Sequence, residues 1–585
     1  MVLMSSQEMV ESYGGAIGYV VDEATSSKVT VRTKEPLKVG EYVIIKPLNS
    51  NEEVLGWVEE SIARNELLGD LADLENPHLA GTILRTLMFG QSNTKYFAIV
   101  KVLTKIKPLI KMGKQEPPRV AIDPGSEVYK ASKEALVKIF SREGDKRFIK
   151  LGELAAHPGV GFYVDVTQIV SRHMAVVAVT GAGKSNTVTV LTTRIVKEKN
   201  GCVLIFDMHG EYSRLDAEYV NVIEPKLDPT KLDADSFSKL IGLSKDAHKQ
   251  ELYLRNVLTL WKVIENSNVV ESKEKFFRIL QNMLIELMHT KEMPVIHYDN
   301  IALAAQILRE YGKFNPTTPL TSIKIALKNA NKTKVCEKND CSDLYTVIDA
   351  KSDVNSAIPN LLVKIQDAEQ KYKEIFDFDA SDVVERIKPA SLNVMDLHSL
   401  DEDMADIIVS VSLKSILNAR KRKVLGEAGS KGKAVLKVPI LLVLEEAHIL
   451  APANRRTLTK YWVSRITREG RKFGVGLVMV SQRPKGLDQD ALSQANNLIV
   501  LKLVEPGDQR HVQASSEGLS EELVKHLPSL SVGEALVLGP LAPLPAIVKV
   551  DHAEIKKVGQ DIDAVDEWEK YHATRDDEEW GTWEE

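Results

Sequence analysis

Along the first 60 residues, apolar and polar positions alternate in short runs (17–21, 29–31, 42–45 and 54–58), broken by turn signals such as Lys38-Val39-Gly40. Period-two alternation puts every second side chain on one face of a pleated strand, so this region predicts a small β-barrel or sandwich. Two more strand-like runs, 82–88 and 96–102, precede a basic stretch (Lys101, Lys105, Lys107, Lys111, Lys114) that ends in the stiff turn QEPPR. Composition shifts near residue 145, and the first domain is placed at 1–145.

From residue 160 the period changes. A continuous apolar run at 174–178 leads through a glycine-rich loop to a helical pattern at 187–197, then to a second apolar run at 202–206 ending in Asp207. Buried strands alternating with helices predict an α/β core with a mostly parallel sheet covered on both faces. Residues 235–375 interrupt it. There the apolar positions fall at helical spacing (Leu254, Val257, Leu258, Trp261, then Phe276, Ile279, Leu280, Met283, Leu284, Leu287), which reads as a helical insertion with these side chains as its core. The core resumes with a helix at 404–417, a basic loop at 420–433, strands at 438–444, 474–480 and 498–503, and a basic helix at 456–472. The expected organisation is therefore 1–145, a core split into 146–234 and 376–560 around 235–375, and a tail at 561–585.

Length and composition narrow this little. The 585 residues exceed one domain several-fold, and 44% hydrophobic with 27% charged residues is ordinary for a soluble globular protein. The opening MVLMSSQEMVESYGG lacks a basic, then apolar, leader, and the apolar runs are too short to cross a bilayer. A cytoplasmic protein with no membrane partner is expected. The net charge of −6 comes from the tail, where eleven acidic and two basic residues give −9 and leave +3 on the rest. Charge thus does not exclude nucleic acid. Three cysteines cannot build a disulfide framework or a four-cysteine zinc site. Cys336 and Cys341 read as free thiols, with a local bridge as the alternative, and Cys202 as an inert buried residue.

The candidate chemistry lies at the strand ends. In Ala178-Val179-Thr180-Gly181-Ala182-Gly183-Lys184-Ser185, the glycines let backbone N–H groups wrap phosphate oxygens before the positive end of a helix. Thr180, Gly181, Ala182, Gly183, Lys184, Ser185 and Asn186 are the expected nucleotide contacts, with Lys184 on the β- and γ-phosphates and Ser185 on magnesium. ATP and Mg2+ are thus the expected cofactors. Ala178 stands where a glycine is usual, tolerable if its φ is negative. The strand ending at Leu444 delivers Glu445, expected in the magnesium shell, and Glu446, expected as general base, though the two could exchange roles. Asp207 is expected either in the magnesium shell or as the cap of a turn. Gln482 can sense the γ-phosphate if its strand neighbours that of the phosphate loop. Arg172, Arg465, Arg468 and Arg471 are candidates for neutralising transition-state charge.

These blocks resemble the HerA family, hexameric archaeal DNA translocases of the FtsK–HerA branch of P-loop ATPases. The resemblance runs through Gly18-Tyr19-Val20, Lys38-Val39-Gly40-Glu41-Tyr42, Leu55-Gly56-Trp57-Val58 and Arg172-His173 before AVTGAGKSN. It continues through IFDMHGEY (205–212), VLEEAHIL (443–450), SRITREGRKFGVG (464–476), SQRP (481–484) and LSQANN (492–497). It implies an α/β, RecA-like P-loop ATPase core with an N-terminal β-barrel and a helical insertion. It also implies a homo-hexameric ring threading double-stranded DNA, with a NurA-like nuclease on the barrel face, in DNA end processing for recombination repair. By position, Lys184 matches the family's phosphate lysine, Glu446 its catalytic glutamate and Gln482 its sensor, while Arg172 and Arg471 match arginines serving the site in cis and trans. Other readings are a packaging or conjugation motor of the same branch, or a protein-unfolding ATPase. The loop Arg420, Lys421, Arg422, Lys423, Lys431, Lys433 is a candidate DNA surface beside the plainer reading of a solvated loop. Ala178 and the acidic tail with Trp568, Trp580 and Trp583 depart from the family pattern.

Overall fold

The computed structural model describes residues 15–65, 94–244, 246–330, 335–336, 341, 343–349, 354–427, 434–516, 518–555 and 564–569. Its chain divides into two compact units, one of 1–223, 387–398 and 417–585, the other of 224–386 and 399–416.

The first unit opens with β1 (Gly18–Val21), β2 (Lys28–Thr33), β3 (Tyr42–Lys46), β4 (Val54–Asn65), β5 (Thr94–Lys105) and β6 (Glu127–Lys130). They close into a barrel in the order β1-β2-β5-β4-β3-β6, which leaves no free edge. Alternate residues Val29, Val31, Val43, Ile45, Val58, Ala98 and Val100 fill it. Gly56 is required on β4 because a Cβ there would lie 2.5 Å from Val100. The run expected at 82–88 lies outside the described residues. Tyr42 faces out of the barrel, its ring 5.1 Å from that of Phe140, its N–H donating to His157 Nε2 and its hydroxyl to the Pro545 carbonyl.

The main sheet uses β7 (Phe148–Leu154), β8 (Gly161–Asp165), β9 (Met174–Val177), β10 (Val203–Asp207), β11 (Val220–Ile223), β14 (Leu392–Asp396), β15 (Ile440–Leu444), β16 (Val475–Ser481), β17 (Asn497–Val500), β18 (Glu534–Leu538) and β19 (Ala546–Val550). Its order is β11-β14-β10-β15-β16-β9-β17-β18-β19-β7-β8. Pairing is parallel from β11 through β17 and antiparallel from β17 to β8. Every residue of β9, β10, β15 and β16 is buried, which is why these strands read as unbroken apolar runs. The register pairs Ser481 with Val177 and Leu444 with both Met479 and Phe206. The carboxyl ends of four parallel strands therefore share one edge, where open α/β sheets place ligands.

The second unit is wider than the insertion expected at 235–375. Its helices include His248–Ser267, Phe276–Thr290, Ile301–Tyr311, Pro319–Lys328 and Val354–Lys371, beside the hairpin β12 (Glu292–Ile296) and β13 (Tyr345–Asp349), which periodicity did not indicate. Leu254, Val257, Trp261, Phe276, Ile279, Met283 and Leu287 are all buried, and Trp261 meets Phe276 edge-on at 4.9 Å. Cys336 and Cys341 are joined in a disulfide, which corrects the free-thiol reading. Five residues of separation suffice to bring the two Cα atoms to 5.6 Å, within bridging range. Cys202 is free and buried, its thiol pushed up to about 12 by that burial.

The basic stretch after 420 also differs from expectation. A helix runs Glu402–Val424, so Arg420 to Lys423 are helical. Arg420 is buried and donates to the carbonyls of Phe473 (2.8 Å) and Leu436 (2.9 Å). Lys421 pairs with Glu469 at 2.8 Å and Arg422 donates to the Ala434 carbonyl. Arg420, Lys421 and Arg422 are thus held by protein partners and Lys423 is exposed, while Lys431 and Lys433 lie outside the described residues. Of the tail, 564–569 are described, helical, with Trp568 exposed. Among the described residues, no helix is long and apolar enough to cross a membrane.

Candidate functional site

The phosphate loop is pinned by its strand neighbours. Ala178 N–H bonds to the Ser481 carbonyl on one side and Val179 N–H to the Lys502 carbonyl on the other. Ala178 is fully buried and absent from the positive-φ residues, so its methyl group is accommodated. Gly181 (φ 77°) and Gly183 (φ 100°) are left-handed. An added Cβ at Gly181 meets nothing within 4 Å, so that glycine is there for backbone conformation and leaves open space. The helix Lys184–Lys199 follows, with neither a side-chain cap nor an acid in its first turn. Its amino terminus thus keeps its positive potential for an anion.

Opposite, β15 delivers two buried acids. Lys184 Nζ lies 2.5 Å from Glu446 Oε1 and 3.4 Å from Glu445 Oε1. Gln482 donates to the same Glu446 oxygen at 2.6 Å while accepting from the Thr180 hydroxyl at 2.5 Å. His448 Nδ1 lies 3.2 Å from Glu446 Oε2 and 3.2 Å from Ser481 Oγ. Glu446 itself sits at φ 44°, ψ 48°, a left-handed conformation costly for a residue with a Cβ and typical of functional sites. Burial opposes its charge, but the nearby His448, hydrogen bonds from Lys184 and Gln482 and the Lys184 charge outweigh it and hold the carboxyl at about 2. Glu445 is the reverse: burial pushes it up to about 8, because Lys184 stands farther off and Glu211, Asp207 and Glu446 add like charge. Two adjacent carboxyls are thus shifted in opposite directions by their surroundings.

Tyr212, fully buried, directs its hydroxyl to Glu445 Oε1 at 3.5 Å and is hydrogen-bonded with Ser185. Glu445 Oε2 is buried with no hydrogen-bond partner. An orphaned carboxylate oxygen, with open space at Gly181 and the Ser185 hydroxyl at the start of the helix, fits the hydrated shell of a magnesium nucleotide. Asp207 does not join it. Its Oδ1 accepts from the N–H groups of His209, Gly210 and Glu211, and its Oδ2 from those of Tyr212 and Ser213. It therefore caps the turn that carries Tyr212, the second of the two roles expected for it. Asn186 is likewise a strap: its amide nitrogen donates to the Asp551 carbonyl at 2.8 Å and its amide oxygen accepts from the Ala553 N–H at 3.0 Å.

The arginines are elsewhere. Arg172 ends the helix Val166–Arg172, just before β9, and Arg471 lies in the last turn of Leu458–Phe473, just before β16. Both mark the amino ends of strands whose carboxyl ends carry the site, one strand length away: roughly 13 Å for the four residues of β9 and roughly 23 Å for the seven of β16. Arg465 is engaged with Glu469 at 2.5 Å, and Arg468 with Ser464. Sequence reasoning passed over His448 and Tyr212, although the spacings EEAH and DMHGEY hold the signal.

A family described as "Helicase HerA, central domain" matches residues 149–416. The chain is 38% identical over 559 residues to the "DNA double-strand break repair helicase HerA" of Sulfurisphaera tokodaii, covering 95% of this chain and 96% of that protein. It is 36% identical over 560 residues to the "Probable helicase MJ1565" of Methanocaldococcus jannaschii, covering 95% and 94%. Among solved structures it is similar to the plasmid coupling protein TrwB in complex with a GTP analogue, at 14% identity and TM-score 0.42, over 74% of this chain and 95% of that one.

Proposed function

The chain belongs to the HerA helicase family, and we propose that it is a magnesium-dependent ATPase that drives translocation along double-stranded DNA as a homo-hexameric ring. The observation that carries this reading is the convergence of Lys184, Glu446 and Gln482 within hydrogen-bond distance of one carboxylate oxygen, from three different segments of the chain. ATP would seat its β- and γ-phosphates in the N–H groups of 180–185 and draw Lys184 onto them. Glu446, released from that cation, accepts the proton of the attacking water as its oxygen bonds the γ-phosphorus and the bond to ADP breaks. Ser185 and Glu445 would hold magnesium, which would supply charge neutralisation on the phosphates. Gln482, whose strand does neighbour that of the phosphate loop, senses the γ-phosphate. Thr180 would hand its hydrogen bond from Gln482 to the nucleotide.

Arg471 or Arg172 completes a neighbour's site in this proposal, which ties catalysis to the ring. The cellular task consistent with the family is DNA end processing in recombination repair, in the cytoplasm, with a NurA-like nuclease on the barrel face. The test is the ATPase rate with and without linear duplex DNA, together with a negative-stain image of the particle. Stimulation by duplex ends and a six-fold ring are expected. A rate indifferent to DNA and raised by unfolded polypeptide would replace the proposal with a protein-unfolding motor.

A further inference from the structure

The segment 451–457, between the short helix Ala447–Leu450 and the helix Leu458–Phe473, begins five residues after Glu446 and carries Asn454, Arg455 and Arg456, all exposed. Its backbone is held tightly. Pro452 bridges Leu487, Ala453 N–H bonds the Gly486 carbonyl at 2.8 Å, and Asp488 N–H bonds the Ala451 carbonyl at 3.0 Å. Thr457 closes the other end on the Leu450 carbonyl, and Lys460 reaches Asp488 at 2.7 Å. Arg455, one nitrogen of which donates to the Ile449 carbonyl at 3.2 Å, and Arg456 are both exposed on an anchored loop, which lowers the ordering cost of a binding surface. Arg483 and Lys485, on the segment it pairs with, are exposed as well.

That partner segment follows Gln482 directly. Ser481 faces His448, His448 faces Glu446, and the position of a Cβ on Gly486 would be 3.4 Å from the His448 Cβ. The segment that follows Gln482 is thus tied to 451–453 by direct backbone hydrogen bonds.

We propose that 452–456 is a duplex DNA grip, Arg455 and Arg456 contacting backbone phosphates, and that its position follows the nucleotide through its pairing with 484–488. This rests on the DNA-motor reading above. Arginine forks suit phosphate oxygens, and contacts to the backbone carry no sequence preference.

The test compares the wild-type protein with Arg455→Ala/Arg456→Ala, measuring affinity for linear duplex across a salt series in ADP and in a non-hydrolysable ATP analogue. The double variant is expected to keep its basal ATPase and its melting temperature. It should lose duplex stimulation about 10-fold, and its salt slope should fall by about 2, roughly one per phosphate contact. Arg455→Lys/Arg456→Lys should restore most of that slope, since lysine keeps the charge. Wild-type slopes that differ between the two nucleotide states, and no longer differ in the double variant, support the coupling; equal wild-type slopes overturn it. A stimulated wild type with an unchanged double variant overturns the grip and leaves the motor reading standing. A wild type that neither binds duplex nor responds to it removes the motor reading first.

Discussion

Lys184 Nζ and Glu446 Oε1 are 2.5 Å apart, so the cation expected on the phosphates and the expected proton acceptor neutralise each other across the site. A carboxyl held at about 2 is a weak base, and this pairing is part of the reason. In the proposed mechanism, nucleotide that captures Lys184 would take both its charge and its hydrogen bond from Glu446, and so raise the basicity of Glu446 when there is a phosphate to attack.

Glu446→Gln should therefore preserve ATP binding while lowering turnover by ~10²-fold or more, the scale of a positioned general base. Equilibrium binding of a fluorescent ATP analogue beside steady-state hydrolysis separates the two. Turnover within a few-fold of wild type would remove Glu446 from the role.

Arg471→Ala and Lys184→Ala, each inactive alone, should give partly active rings when mixed, because some interfaces then carry an intact Lys184 facing an intact Arg471. Activity that simply adds the two separate proteins at every mixing ratio would show that Arg471 serves no neighbour. Alanine is preferred to lysine here, since lysine keeps the charge without the fork.

Tyr212→Phe removes one hydroxyl from a buried position shared by Glu445 and Ser185. The magnesium concentration for half-maximal ATPase should rise by roughly 10-fold, as for lost outer-shell partners of metal ligands, with little change in melting temperature. An unchanged magnesium requirement would confine Tyr212 to packing.

His173 gives a stability prediction. It is buried at φ 57°, its Nδ1 accepts the Leu477 N–H at 3.2 Å, and burial lowers it to about 4 from an ordinary 6.5. Between those values the unfolded chain binds the proton and the folded chain does not, so stability falls as pH drops from 6.5 toward 4 and changes no further below. The loss is on the order of 3 kcal/mol. Melting midpoints of wild type and His173→Asn should converge over that window; parallel curves would show that His173 does not titrate as described.

How much was legible depends on how locally each feature is determined. The strands β9, β10, β15 and β16 were readable because burial on both faces leaves an unbroken apolar run, and the insertion's core because Leu254 to Leu287 repeat at helical spacing. The loop chemistry of Gly181, Gly183 and Lys184 follows from backbone freedom and side-chain type within eight residues. The helix through Arg420 was missed because its last turns bury a long cation, which by composition resembles a solvated loop.

What the sequence by itself determined, then, is the buried strands of the site, the helical character of the insertion and the identity of the acids, the lysine and the glutamine, since strand, loop and helix propensity act over neighbouring residues. What only the tertiary structure decided is which of them meet. Asp207 and Glu445 are both acids at the carboxyl ends of neighbouring buried strands. One is engaged by five N–H groups of its own turn and the other is left with an unpartnered oxygen. Arg172 and Lys184 are twelve residues apart in sequence, yet the strand between them sends them to opposite edges of the sheet. Strand order and direction are properties of the assembled sheet, and no spacing along the chain encodes them.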